Sequence, residues 1–585
     1  MDSHQGLRLR LTNPGAVWRS RLLAGLVAVA GFPAYSQAIE RNLPPAQRGQ
    51  PTAPALPAPP SPETDATPIG PSLKGLVLLG PTEAATLAVV GVRTEGATRV
   101  DDPEMRRRLA RYLGRSLSRK LISEIQAEIV SAYRRKGFPF VSVTAPEQEI
   151  SAGVLRIRVI EFHAGAIRIE GARHPDRLRA DIRLQPGDPV SADALSQDLD
   201  WLNRYPFSHV EPVLTPGTGF GETDLVLKAS ETRPFHLYAG YANSGSSGST
   251  WDRYFLGASI GGLLVPRSLV SYQFTASPDF FERDGHTLYF TEHARYLSHG
   301  ARFSVPLGAR QALEGSLDLL ETNSVTEPFA ARQKIKELTL GWRSAISNYL
   351  PMPGDLTFGV EAKRLDRTTF FGGEDVLDQA AEVYMLYLGG SHGWGDPFGR
   401  SEVSVLAHYS PGGVDDRNGS DNFATYSKGR VSRADYGYVG LTGSRTLVLP
   451  AGWWLSSALT AQYAWLPLPE TEQTGLGGQA LVRGYALEDG SFDSGAVLRT
   501  ELHAPPTPMF RRWTDQAGPM IFLDAGHGST RRVPGKVDAV SAGVGMDYQL
   551  GRGLSANLDY AVALRSAPFT RCGDSRLEVR LTAGF

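Results

Sequence analysis

The stretch Val540-Ser541-Ala542-Gly543-Val544-Gly545-Met546-Asp547-Tyr548-Gln549-Leu550 alternates strictly between apolar and polar or small residues. A period of two gives a strand with two unlike faces. The pattern recurs upstream and downstream. Leu338, Leu340, Trp342 and Ile346 oppose Glu337, Thr339 and Arg343; Leu356, Phe358, Val360 and Ala362 oppose Thr357, Gly359, Glu361 and Lys363. Ala556, Leu558, Tyr560, Val562 and Leu564 oppose Asn557, Asp559, Ala561 and Ala563; Leu577, Val579, Leu581, Ala583 and Phe585 oppose Glu578, Arg580, Thr582 and Gly584. A soluble sandwich alternates too. These segments, however, run to the about 9–11 residues that a tilted membrane strand needs, against about 5–6 in soluble sheets. Their apolar faces also carry Trp453, Tyr463, Trp465, Tyr548, Tyr560 and Phe585, suited to an interfacial girdle. The reading is an all-β transmembrane barrel of antiparallel strands over residues 233–585. At one strand and loop per roughly 20–24 residues, it has room for roughly 14 to 18 strands.

The N-terminus agrees with export. Arg8, Arg10, Arg19 and Arg21 precede an apolar run from Leu22 to Ala30, and small residues Ser36 and Ala38 follow. A positive flank, an apolar stretch too short to anchor and a small-residue exit describe a signal peptide over residues 1–38. Residues 39–73 are Pro-rich, with Pro44, Pro45, Pro51, Pro54, Pro57, Pro59, Pro60, Pro62, Pro68 and Pro71, and read as an extended periplasmic linker. Lys+Arg (60) nearly equals Asp+Glu (61), so no basic excess points to nucleic acid. The single Cys572 excludes an intramolecular disulfide framework and argues against a cysteine metal site.

Residues 74–161 and 162–232 read as two small α+β modules in tandem. In the first, Leu87–Thr94 is strand-like, and Leu121, Ile122, Ile125, Ile129, Val130 and Tyr133 recur at helical spacing before Gly137. Strand-like runs Phe138–Ala145 and Val154–Phe162 follow. The second repeats the order with a strand at Ala166–Glu170, a helix at Asp193–Leu202 and strands near Val210–Leu214 and Thr223–Leu227.

Two short motifs carry charge where a barrel wall makes charge costly. Around Asp524, period two puts Phe522 and Asp524 on one face and Ile521, Leu523 and Ala525 on the other. The apolar set faces lipid, so Asp524 faces the lumen. Arg483 lies in a stretch with Gly475, Gly477, Gly478 and Gly484 that has the freedom to fold inward. Arginine matches a carboxylate with two parallel hydrogen bonds, which lysine cannot. An Arg483–Asp524 pair locking the loop in the pore is expected, with Tyr485 and Phe522 able to pack beside it.

With these residues the chain resembles the two-partner secretion transporters, the haemolysin-secretion and filamentous-haemagglutinin-export family. Tyr133-Arg134-Arg135-Lys136-Gly137-Phe138, Ala145-Pro146-Glu147-Gln148-Glu149-Ile150 and Gly153-Val154-Leu155 resemble its first polypeptide-transport-associated (POTRA) domain. Phe162-His163 stands where the family usually has glycine. Leu202-Asn203-Arg204 with Leu214-Thr215-Pro216-Gly217 resembles the second such domain. Leu476-Gly477-Gly478 with Val482-Arg483-Gly484-Tyr485 resembles the tip of the family's inward loop, Phe522-x-Asp524-x-Gly526 its partner strand, and Phe585 the terminal aromatic of the barrel-assembly signal.

The resemblance implies 16 strands, two periplasmic POTRA domains and export of a secreted exoprotein of adhesin, cytolysin or haem-scavenging type. The exoprotein would be caught by strand addition within residues 74–232. Other implied partners are outer-membrane lipid and the barrel-assembly machinery, and the protein would act as a monomer. An assembly insertase of the same superfamily and a passive porin are the alternatives; insertases usually carry more POTRA domains, and a porin leaves the modules and both motifs unexplained. Family members often plug the pore with an N-terminal helix, but Pro44 and Pro45 leave little room for one here.

No enzyme is expected. His286, His293, His299 and His503 lack metal-site spacing, and there is no P-loop, Gly-x-Ser-x-Gly elbow or dinucleotide fingerprint. No cofactor or metal is implied. Asn418-Gly419-Ser420 is a formal sequon that reads as a loop turn.

Overall fold

The computed structural model describes residues 63–82, 90–96, 101–281, 294–326, 328–510, 514–551 and 553–585. The signal peptide, most of the Pro-rich linker with Pro44 and Pro45, residues 87–89 of the first expected strand, and His286 and His293 lie outside the described residues.

In the first module a four-stranded sheet of order 91–95, 75–79, 154–161, 141–144 packs against helices Pro103–Ala110 and Arg119–Arg135. The long helix starts at Ser118, whose hydroxyl accepts from the Leu121 N–H at 3.2 Å, and gives out before Gly137, which takes φ +81°. Its apolar stripe, Leu121, Ile125, Ile129 and Tyr133, is fully buried against Leu76, Leu78, Leu155 and Ile157. Two elements differ from the sequence reading. Gly75–Leu79 is the central strand; a continuous five-residue apolar run has no alternation to reveal it. Pro103–Ala110 is a helix that buries only Met105 and Leu109 among arginines.

The boundary expected at residue 73/74 falls inside the module. Residues 68–72 pair antiparallel with 116–118, and Leu73 is buried in the module core, so the end of the Pro-rich stretch is structural rather than a free spacer. Proline suits that edge position, where a missing N–H costs no ladder bond.

The second module pairs Glu222–Glu231 with His163–Glu170 on one side and Ser208–Pro216 on the other, over helices Pro175–Arg179 and Ala192–Leu202. Only Phe162 separates the last strand of the first module from the first of the second, and it packs with Phe140, Ala164 and Val190 across the junction. The junction between the two modules is thus an apolar joint.

Sixteen antiparallel strands, from Phe235–Ala242 to Ser575–Gly584, close into a barrel. The sheet shuts where Tyr238–Ala242 pairs with Arg580–Gly584. Closure leaves no open edge, as a lipid-embedded sheet requires. Leu338, Leu340, Phe358, Val360, Ile521, Leu523, Val544, Tyr560 and Leu577 point outward as the alternation predicts; Ile346, however, sits in a turn, because that strand ends at Ala345.

The second module is keyed into the near end of the barrel by Arg310, in a two-residue turn between the fourth and fifth strands (Tyr296–Gly308 and Gln311–Thr326). The Arg310 backbone N–H donates to Asp181 at 2.7 Å, its Nη1 to Asp198 at 3.0 Å, and its Nη2 to Asn348. Arg204 adds an ion pair to Asp355 at 2.9 Å.

Candidate functional site

Residues 465–493 join the eleventh strand (Trp454–Ala464) to the twelfth (Ser494–His503) and fold back into the barrel. The segment has its own small architecture. Thr474–Gly475 pairs with Ser491–Phe492, and short 3-10 turns cover Glu470–Glu472 and Leu487–Asp489. Leu476, Val482, Tyr485 and Phe492 are fully buried against Val497, Ala539 and Ala563 of the wall.

Glycines on the wall allow the approach. A Cβ on Gly526 would lie 2.6 Å from Leu476 Cδ1, and one on Gly528 2.4 Å from Phe492 Cγ. Gly484 turns the tip at φ +84°, where a Cβ would also meet Ala561 at 2.9 Å.

That turn delivers Arg483 to the thirteenth strand (Asp515–Ser529). Arg483 Nε donates to Asp524 Oδ2 at 2.8 Å, Nη2 to Oδ1 at 2.9 Å, and the backbone N–H to Oδ2 at 3.2 Å. Both side chains have no solvent exposure. The guanidinium carbon sits 3.6 Å from the centre of the Phe522 ring, a cation–π contact on top of the two-pronged pair. Nη1 completes the site with Glu501 at 2.9 Å and Asp559 at 3.5 Å. The Gly484 N–H donates to Glu578 at 3.0 Å.

The residues singled out in the sequence therefore meet, with one difference. Tyr485 does not flank the ion pair: its hydroxyl shares its one proton between the carbonyls of Val540 and Arg565, at 2.9 and 2.7 Å, and pins the loop to the neighbouring wall. Gly526 acts by its lack of a side chain. Phe585 stands apart, exposed beside the seam, its N–H donating to the Leu237 carbonyl at 2.8 Å.

Glu501, Asp559 and Glu578 are the site residues that sequence reasoning missed. Asp559 and Glu578 lay on the polar side of their alternations, so the signal was present. Polar side chains at mid-strand, facing the lumen of a barrel, need a partner.

A second feature had no such signal. Residues 411–435 carry the helix Ser420–Tyr426 into the lumen at the end away from the modules. Phe423, Tyr426, Val431 and Ala434 are buried there against Leu365, Val383, Met385 and Tyr436 of the inner wall. In this band the inner face carries apolar Leu365, Ala381, Val383 and Met385 among polar side chains, and Arg364 points outward beside inward Leu365. The sequon residue Asn418 is fully buried, its side-chain amide donating to the Glu382 carbonyl at 2.7 Å, which makes it a turn residue.

A cavity of about 530 Å³ remains beside the inward loop, lined by Arg483, Arg499, Glu501, Asp559 and Arg580. Among the described residues no group of three potential metal ligands is present. His503 pairs with Glu501 at 3.1 Å and stacks on Trp454, and His299 bonds the Tyr272 hydroxyl.

Two family descriptions match this chain. "POTRA domain, ShlB-type" covers residues 87–161, and "Haemolysin secretion/activation protein ShlB/FhaC/HecB" covers residues 417–548, including Arg483 and Asp524. Among similar proteins is the outer membrane transporter CdiB of Escherichia coli O6:K15:H31 (strain 536 / UPEC), 23% identical over 436 residues, which are 72% of this chain and 69% of CdiB. The heme/hemopexin transporter protein HuxB of Haemophilus influenzae (strain 86-028NP) is 21% identical over 78% of this chain and 80% of its own length. The solved structure of CdiB from Escherichia coli covers 99% of this chain and 100% of its own, with a TM-score of 0.67 at 17% identity, a likeness of fold. Closed barrel, N-terminal modules and both matches agree: residues 87–161 and 417–548 match the haemolysin secretion/activation family of two-partner secretion transporters, and the chain is an outer-membrane barrel with its POTRA region on the periplasmic side.

Proposed function

We propose that this transporter binds an unfolded partner exoprotein with its two periplasmic modules and exports it through the barrel to the cell surface. In this reading the loop 465–493 closes the pore, and the Arg483–Asp524 pair holds it in the secretion-competent position. The observation that carries the reading is the complete burial of that pair in the lumen. Removing one partner of such a pair typically costs about 3–5 kcal/mol, because the other charge is stranded. An arrangement so sensitive to loss of either residue suits a latch better than a filler.

Residues 1–38 act as the export signal, residues 63–161 and 162–232 as the two POTRA domains, and residues 233–585 as the pore, with Phe585 contributing to recognition by the barrel-assembly machinery. Capture is by strand addition. The first module offers the sheet edges Gly91–Glu95 and Val141–Thr144, and main-chain pairing tolerates many cargo sequences. The edge Ser208–Pro216 of the second module is poorer, since Pro212 and Pro216 remove donors. The cargo class is a secreted exoprotein of adhesin, cytolysin or haem-scavenging type, the last by analogy with the name of HuxB. No nucleotide is needed; folding of the cargo outside drives transport.

Deletion of residues 63–161 is the test of capture. It is expected to abolish pull-down of the exoprotein's N-terminal region. Retained binding would make the first module a spacer.

A further inference from the structure

Arg483 is not the inward loop's only buried ionic tie. On the limb that enters the lumen, the turn Glu470–Glu472 lays Glu472 against the seventh strand (Asp355–Phe371). Lys363 Nζ donates to both Glu472 carboxylate oxygens, at 2.8 and 3.0 Å, and the Tyr438 hydroxyl donates to one of them at 2.9 Å. The Lys363 and Glu472 side chains are 2% and 1% exposed. The polarity is reversed relative to Arg483: here the wall supplies the cation and the loop the anion.

The two ties sit on the seventh and thirteenth of sixteen strands. A loop held only on the Asp524 side, where Glu578 and the partners of Tyr485 also lie, is anchored to one part of the wall, whereas one tied at Lys363 as well spans the lumen. Each wall charge also has a stand-in. Lys363 lies 3.2 Å from Glu361 and 3.6 Å from Glu337, while Arg499 lies 4.0 Å from Asp524 and 3.1 Å from Glu501. If the loop withdraws, Lys363 keeps Glu361 and Glu337, and Asp524 keeps Arg499 as its nearest cation. Spare counter-charges at both places are what reversible release requires, since stranding a charge is what makes breaking a buried pair so costly.

We propose that Lys363–Glu472 is a second anchor of the inward loop, that the doubly anchored, closed state is the one from which export starts, and that the loop leaves the lumen only when both anchors exchange their loop partner for the wall stand-in. This rests on the reading of loop 465–493 as the pore closure. The entering limb also supports the inner cap: Glu470 pairs with Arg367 at 2.5 Å, and the Arg367 guanidinium lies 4.7 Å from the Tyr426 ring centre. Release of Glu472 therefore loosens the cap as well.

The test is single-channel conductance of the full-length protein in planar bilayers. Wild type is compared with Glu472→Gln, Arg483→Ala and the double variant, each checked for a closed barrel by heat-modifiable migration. Each single change is expected to raise open probability, and the double change to exceed the larger single effect by about tenfold, the equivalent of 1.4 kcal/mol in the closed–open equilibrium. Tyr438→Phe removes one donor to Glu472 and gives a smaller shift in the same direction, which serves as the readout if Glu472→Gln does not assemble. Wild-type conductance in Glu472→Gln, with a double variant no different from Arg483→Ala, would overturn the second anchor. Conductance needs no cargo, so this outcome is separate from a failure of the export reading, which appears only in secretion.

Discussion

The Arg483 guanidinium is clamped between the Asp524 carboxylate, at 2.8 and 2.9 Å, and the Phe522 ring, at 3.6 Å from its centre, two residues apart on one strand face. A single loop arginine thus reads both inward side chains of the Phe522-x-Asp524 motif. A cation–π contact contributes about 0.5–2 kcal/mol, well below the about 3–5 kcal/mol for breaking a buried pair. Phe522→Leu is therefore expected to raise channel opening less than Asp524→Asn. Coupling between the two changes, measured as a double-mutant cycle on open probability, should be clear because both act on Arg483.

Gly526 tests the loop's seat without touching any charge. Gly526→Val places atoms within 2.6 Å of the Leu476 position, so the strand can still pair while the loop cannot seat. The variant should assemble as a heat-modifiable barrel and show increased protease cleavage within residues 474–485. A loop as protected as in wild type would contradict this seating.

The inner cap should open separately. Phe423→Ala removes a fully buried ring from the cap core, a change that costs about 3–5 kcal/mol in a well-packed site. Cells carrying it are expected to admit large antibiotics more readily than wild type, with Arg483 and Asp524 intact. Measuring susceptibility to such an antibiotic checks this.

Arg310 governs the joint between the second module and the barrel. Burial pushes the Asp181 and Asp198 carboxyls up from the ordinary carboxylate range, against the pull of arginines that include Arg310. Arg310→Ala leaves that push less opposed, so at neutral pH the ionised carboxylates should loosen the joint, by less than the about 3–5 kcal/mol of a fully stranded charge because Arg183 still pairs with Asp198 at 2.8 Å. Carboxyls with raised values favour the docked state in their neutral form, so docking should recover as pH falls through those values. Hydrogen exchange in residues 192–202, followed from pH 7 to pH 5, measures it.

The barrel and the lumen side of Asp524 were legible because lipid on one side and a polar lumen on the other enforce a strict period of two. The same rule concealed the inner cap. Leu365, Val383 and Met385 are inward and apolar because the helix Ser420–Tyr426 packs on them, and a seven-residue helix has too few turns to show an amphipathic stripe. The second anchor was hidden for another reason. Glu472 lies in a 3-10 turn between Pro469 and Gln473, where no periodicity says which way a side chain points, and Lys363 is one of many charges on its strand. Gly75–Leu79 escaped because a strand buried on both faces has no polar side.

The most direct test of the latch is the amount of partner exoprotein released to the medium by cells producing Arg483→Ala or Asp524→Ala, with barrel levels in the outer membrane matched to wild type. Each variant is expected to release about a tenth of the wild-type amount or less, the equivalent of 1.4 kcal/mol or more lost from the competent state. Release at the wild-type level by both variants would contradict the latch.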